Sequence, residues 1–144
     1  MLRRQDVLGH RIRRIFVDMS LSDHEYNYAD FICLLDNGLA FRLPHDDESG
    51  DLFPTAKVSE AHVPATFPKR RWLHYPRRLW WARITDVLVP ADPELRFPDS
   101  SRVALDSGWY LAQMSGGPIG VIPCIDIMPE LMTDQELVTI WEAA

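Results

Sequence analysis

Between His10 and Met19 the chain reads HRIRRIFVDM, and Ile15, Val17 and Met19 alternate with Phe16 and Asp18. Period two among β-branched residues predicts a strand. The polar run 20–28 (SLSDHEYNY) reads as a connection or the tip of a long hairpin. Then DFICLLDNGLAFRL, residues 30–43, sets two apolar runs on either side of Asp36, Asn37 and Gly38. Asn and Gly tolerate the positive φ of a tight turn, so this stretch predicts a β-hairpin.

The same pattern returns further on. Arg83-Ile84 through Val87-Leu88-Val89 matches Arg11-Ile12 through Ile15-Phe16-Val17 at an offset of 72, and the run from Val103 to Leu111 matches Cys33 to Phe41 at an offset of 70. The two-residue difference falls in polar connections, where a change of length costs little. The chain therefore reads as a strand, polar excursion, strand, Asp-x-Gly turn and strand, performed twice. Ser107 suits a type I′ turn poorly, so both Asp36-Asn37-Gly38 and Asp106-Ser107-Gly108 predict a three-residue turn with only the glycine left-handed, closing on a G1 bulge.

Other segments are less periodic. A short strand is possible near Lys57–Val63, although Pro54 and Pro64 bracket it. In the stretch 68–83, PKRRWLHYPRRLWWAR, Pro76 forbids one continuous helix, and Trp72–Tyr75 and Leu79–Trp81 read as extended pieces. Ile119–Met128 predicts a last strand, interrupted at Pro123. At the end, Thr133 with Glu136 forms a capping-box pattern, and Leu137, Ile140 and Trp141 recur at helical spacing, which predicts a helix over 133–143. The expected architecture is one mainly β (α+β) domain over 1–144. Repeats at about 8–67 and 80–128 build an antiparallel sheet, joined by a basic aromatic connector 68–83 and closed by a short C-terminal helix.

Composition leaves this picture in place: 47% hydrophobic and 25% charged residues are those of an ordinary globular chain. Cys33 and Cys124 stand far apart among apolar neighbours, which favours buried thiols over a disulfide. No apolar leader follows the first arginines and no run approaches a membrane span, so the expected location is cytoplasmic, without membrane contact.

Charge changes the picture more. The net value is −6, yet residues 1–17 and 61–85 are basic while 18–60 and 86–144 are acidic. The stretch 68–83 holds Lys69, Arg70, Arg71, Arg77, Arg78 and Arg83 together with Trp72, Trp80 and Trp81. Arginine interleaved with aromatics is the pattern of a single-strand nucleic-acid surface, with Arg70, Arg71, Trp72, Arg77 and Arg78 as its contacts. The competing reading packs the tryptophans between the two halves, with guanidinium groups turned toward carboxylates. The acidic total favours the second, as does the requirement that adjacent Trp80 and Trp81 in an extended segment point to opposite faces.

No catalytic motif appears. The five histidines never reach metal-ligand spacing, and Asp46, Asp47, Glu48 and Asp51 lack the order of a calcium loop. Ser115–Gly120 lacks a phosphate-loop Lys-Ser/Thr, and no GxSxG elbow exists. A ligand-binding or enzymatic β domain would need a pocket joining Trp109, Tyr110 and a histidine. The expectation is a non-enzymatic protein without metal or cofactor.

The paired units around Leu35-Asp36-Asn37-Gly38 and Leu105-Asp106-Ser107-Gly108-Trp109, the acidic run 45–51 and the polar run 20–28 resemble, in architecture, small immunity proteins of bacterial polymorphic-toxin systems. That resemblance implies binding and occlusion of one cognate toxin domain. A toxin acting on nucleic acid is typically basic, and Asp23, Glu25, Asp46, Asp47, Glu48 and Asp51 would steer it in.

Overall fold

The apolar alternation sorts the strands into two sheets. The structure is a computed structural model and describes residues 2–18, 30–43, 57–96, 100–114, 124–131 and 133–142. In the first sheet β1 (Ile12–Asp18), β2 (Asp30–Leu35), β3 (Leu39–Arg42), β4 (Val58–Ser59) and β5 (Arg70–Leu73) lie in the order β4-β3-β2-β1-β5. The second sheet holds β6 (Ile84–Pro90), β7 (Arg102–Leu105), β8 (Tyr110–Met114), β9 (Cys124–Met128) and β10 (Leu137–Thr139) in the order β10-β6-β7-β8-β9. Every pairing is antiparallel. The protein is thus mainly β, in two sheets of identical topology.

The equivalence holds pair by pair. Ile12↔Leu35 and Ile15↔Cys33 in the first sheet correspond to Ile84↔Leu105 and Val87↔Val103 in the second, with a bulge at the same step of β1 and β6. Cys33↔Phe41 corresponds to Val103↔Leu111, and Ala40↔Val58 to Tyr110↔Met128. The edge strands match as well: Asp18↔Arg70 and Phe16↔Trp72 correspond to Pro90↔Leu137 and Leu88↔Thr139. The Asp36 N–H donates to Arg11 O at 2.9 Å, as the Asp106 N–H does to Arg83 O. Gly38 and Gly108 have φ of 81° and 88° and donate to Leu35 O and Leu105 O, closing the expected three-residue turns.

The inner faces supply one apolar cluster, in which Ile15, Val17, Cys33, Leu35 and Phe41 meet their counterparts Val87, Val89, Val103, Leu105 and Leu111. Burial pushes the Cys33 thiol up to about 12, so it stays an inert core residue. Arg11 and Arg83, equivalent positions, form an antiparallel bridge with each other. An antiparallel pair of equivalent residues lies on a local two-fold axis, so that bridge marks the pseudo-dyad relating the halves. A smaller second cluster of Phe16, Ile32, Leu34, Ala40, Val63 and Phe67 covers the outer face of the first sheet, with α2 (Val63–Thr66) as its lid.

Four expectations are corrected. The helix expected over 133–143 is not formed by the described residues 133–142: Leu137–Thr139 is strand β10, and the Ala91 N–H donates to Glu136 O at 2.9 Å. Thr133 still accepts from the Gln135 N–H, at 3.2 Å. A short isolated helix is marginal, whereas Leu-Val-Thr satisfies the open edge of β6 and suits a half-buried strand. The stretch 68–83 is not a connector between repeats. Its first part is β5, and from Pro76 to Arg83 it repeats the lead-in of the chain, where α1 (Arg4–Val7) precedes β1. The Ala82 N–H donates to Leu79 O as the His10 N–H does to Val7 O, and Leu79 and Val7 are both buried. The units therefore extend beyond 8–67 and 80–128. Leu79–Trp81, expected as an extended piece, is instead the end of a 3₁₀ turn over Arg77–Leu79 followed by turn residues Trp80 and Trp81. The strand near Lys57–Val63 shrinks to Val58–Ser59, because Pro64 opens α2 within its first turn.

Candidate functional site: an arginine–tryptophan face

β5 pairs with β1 so that Trp72 stands opposite Phe16. The two rings meet edge to face with centroids 5.1 Å apart, and the Arg14 guanidinium lies 3.7 Å from the Trp72 centroid. After β5 the chain folds into a tight turn. The Tyr75 O–H donates to Leu79 O at 3.2 Å, and the Trp80 indole N–H donates to Tyr75 O at 3.1 Å. Tyr75, Leu79 and Ala82 are buried. Anchoring these three leaves both tryptophans between Leu79 and Ala82 turned outward.

Trp72 is 36% exposed, Trp80 49% and Trp81 77%, and these are the exposed large hydrophobic residues among the described ones. The packing role expected for them is therefore overturned. The argument from opposite faces fails because residues 80 and 81 occupy a turn and not a strand. Each indole carries a cation: Arg14 on Trp72, Arg77 on Trp80 at 5.7 Å, and Arg11 on Trp81 at 4.9 Å. Arg78 lies 4.9 Å from the Trp109 centroid. A cation over an exposed indole contributes about 0.5–1 kcal/mol, enough to bias the rings toward one orientation.

Charge pairing divides the arginines. Arg3, Arg11 and Arg13 meet Asp6, Asp36 and Glu60. Among the described residues Arg14, Arg71, Arg77, Arg78 and Arg83 make no ion pair with a carboxylate. The Arg83 guanidinium donates to Gly9 O at 2.7 Å, across the pseudo-dyad. At Asp36, burial pushes the carboxyl up, but hydrogen bonds from His10 and Arg11 outweigh it and hold the group below its ordinary range.

Of the expected nucleic-acid contacts, Trp72, Arg77 and Arg78 are exposed on this face; Arg71 is exposed too, but opposite Val17 it points to the other side of β5 from Trp72, and Arg70 is half-buried and donates to Phe67 O at 3.3 Å. Trp80, Trp81 and Arg83 join them, as do Arg11 and Arg14 from β1 and its approach. Arg11 and Arg14 are three positions apart, so two of the stacks stand about 10 Å apart along the strand. The expected acidic contacts Asp23, Glu25, Asp46, Asp47, Glu48 and Asp51 lie outside the described residues, as does the loop Ser115–Gly120.

Among the described residues no cluster of three His, Cys, Asp or Glu side chains could hold a metal ion. Ser59 Oγ and His62 Nδ1 share a hydrogen bond across one exposed 3₁₀ turn, and among the described residues no carboxylate is bonded to that ring. A cleft of about 460 Å³ on the second sheet is lined by neither Trp109, Tyr110 nor a histidine. No helix among the described residues is long and apolar enough to cross a membrane.

No family model, curated protein or solved structure matches the chain.

Proposed function

We infer that this protein is a non-enzymatic module that binds single-stranded nucleic acid on the arginine–tryptophan face. The observation that carries the reading is the outward placement of Trp80 and Trp81, with Arg77, which makes no ion pair with a carboxylate among the described residues, over Trp80. Bases stack on indoles irrespective of sequence, and guanidinium groups neutralise the phosphates between them. Here the large exposed apolar residues among the described ones are three tryptophans, each with an arginine beside it.

The test is a titration of the protein with labelled oligothymidylate, read by anisotropy and tryptophan quenching at several salt concentrations. Micromolar binding is expected at low salt. If Arg14, Arg77, Arg78 and Arg83, which make no ion pair with a carboxylate among the described residues, all meet phosphates, log K should fall against log salt with a slope of about −2.8. Trp81→Ala should weaken binding by about 1–3 kcal/mol. Absence of binding at low salt would refute the reading.

The charge segregation of the sequence favours a second reading, an immunity protein that binds and blocks a cognate bacterial toxin through Asp23, Glu25, Asp46, Asp47, Glu48 and Asp51. It predicts a stoichiometric complex with the product of a neighbouring reading frame. Charge reversal at 46–51 should then slow association and flatten its salt dependence. Unchanged association would remove that loop from the interface.

A further inference from the structure

The two sheets match strand for strand, yet their outer faces at the β1/β5 and β6/β10 edges differ. In the first sheet Phe16, Trp72 and Arg14 fill this place. The equivalent residues of the second sheet are Leu88, Thr139 and Asp86. Loss of the indole leaves the cleft of about 460 Å³, floored by Leu88, Leu137, Val138 and Thr139, with Leu8 standing where the first half has Trp80. Asp86, Arg4 and Glu142 also line it, and Arg4 approaches Glu142 at 4.0 Å.

We propose that this cleft receives the Trp81 turn of a second copy of the chain. The incoming indole takes the place that Trp72 holds in the first sheet. Charge is reversed to match: where β1 supplies Arg14 over its own tryptophan, β6 supplies Asp86, and the turn that enters brings Arg77 and Arg83 with Trp81. Neither arginine has a carboxylate partner among the described residues. Among the described residues the cleft carries Asp86 and Glu142 against the single cation Arg4, and the segment that docks is basic, so encounter is steered as well as docked. The contact is heterologous, donor face to acceptor cleft, so a dimer keeps one unused donor turn on one copy and one unused cleft on the other, and association continues past it. Docking and oligonucleotide stacking compete for the same indole.

The measurement is sedimentation velocity of the full chain without nucleic acid, which keeps it independent of the nucleic-acid reading. The weight-average mass of the wild type should rise from 16.6 kDa with concentration. Thr139→Trp, which refills the cleft as the first sheet does, and Trp81→Ala should each stay monomeric. Mixed together they should form a closed one-to-one dimer, because one retains the donor turn and the other the cleft. Asp86→Arg should also abolish association; because Asp86 Oδ1 accepts the Val87 N–H at 2.9 Å, its fold is checked by urea melt alongside. A wild type that stays monomeric at every concentration, self-association that persists in Thr139→Trp or Asp86→Arg, or a mixture that fails to pair would each overturn the proposal.

Discussion

Gly38 and Gly108 allow the duplicated turn to be tested with numbers. A Cβ at Gly38 would meet nothing nearer than Glu60 Oε2 at 3.9 Å, and at Gly108 nothing within 4 Å. Steric cost is therefore absent at both sites, and what remains is the left-handed backbone, φ 81° and 88°. For an L residue that conformation costs about 1–2 kcal/mol. Alanine recovers about 0.4–1 kcal/mol by restricting the unfolded chain. Gly38→Ala and Gly108→Ala should each lose about 1 kcal/mol in urea unfolding, with unchanged m-values, and Tm should fall by about 4 °C. Asparagine should cost less than alanine, since its side chain tolerates this region, and valine more. The two positions should rank the three substitutions alike and agree within about 0.5 kcal/mol. A neutral alanine at either site, or asparagine no milder than alanine, would refute the turn geometry as the source of the cost.

Three further outcomes follow from described contacts. Phe67 packs edge to face on Phe16, centroids 5.4 Å apart, in the small outer cluster, so Phe67→Ala should cost about 3–5 kcal/mol by urea melt. The hydrogen bond from Lys57 holds the Asp6 carboxyl below its ordinary range, and His10 with Arg11 does so for Asp36 against burial. On acidification the unfolded chain takes up these protons first. Stability is therefore complete above the ordinary Asp value of 3.8 and is lost as pH falls through the lower folded values. Lys57→Met should flatten the part of that acid limb due to Asp6, measured as urea stability against pH. In the oligonucleotide titration, Arg77→Ala should weaken binding and make the salt slope shallower by about 0.7, the share of one phosphate on a single strand.

The hairpins were legible because their signal is local: Asp-x-Gly between alternating apolar runs leaves few other conformations for Asp36–Gly38 or Asp106–Gly108. The repeat was legible because both halves bury the same inward positions, Ile15 with Val87 and Leu35 with Leu105. The C-terminal strand was not. Thr133 and Glu136 satisfy the local requirements of a helix start, and only the open edge of β6, far away in sequence, makes Leu137–Thr139 extended. The exposure of Trp80 and Trp81 was hidden for a related reason. It depends on Leu79 being anchored in the core, a role visible only when the match at offset 72 is carried back from Arg11 and Arg83 to Val7 and Leu79. Arg14 joined the face without local warning, since its partner Trp72 reaches it through the β1–β5 pairing.

The Arg11–Arg83 bridge places two copies of one position face to face across an axis. That is the geometry of a symmetric dimer whose chains have been joined end to end. In such a dimer both outer edges would have to carry the same side chains, and any change would be made twice. Joining them releases that constraint: one edge can hold Phe16, Trp72 and Arg14 while its twin holds Leu88, Thr139 and Asp86. A single chain can thereby keep the common core of a symmetric pair and present two chemically opposite ends.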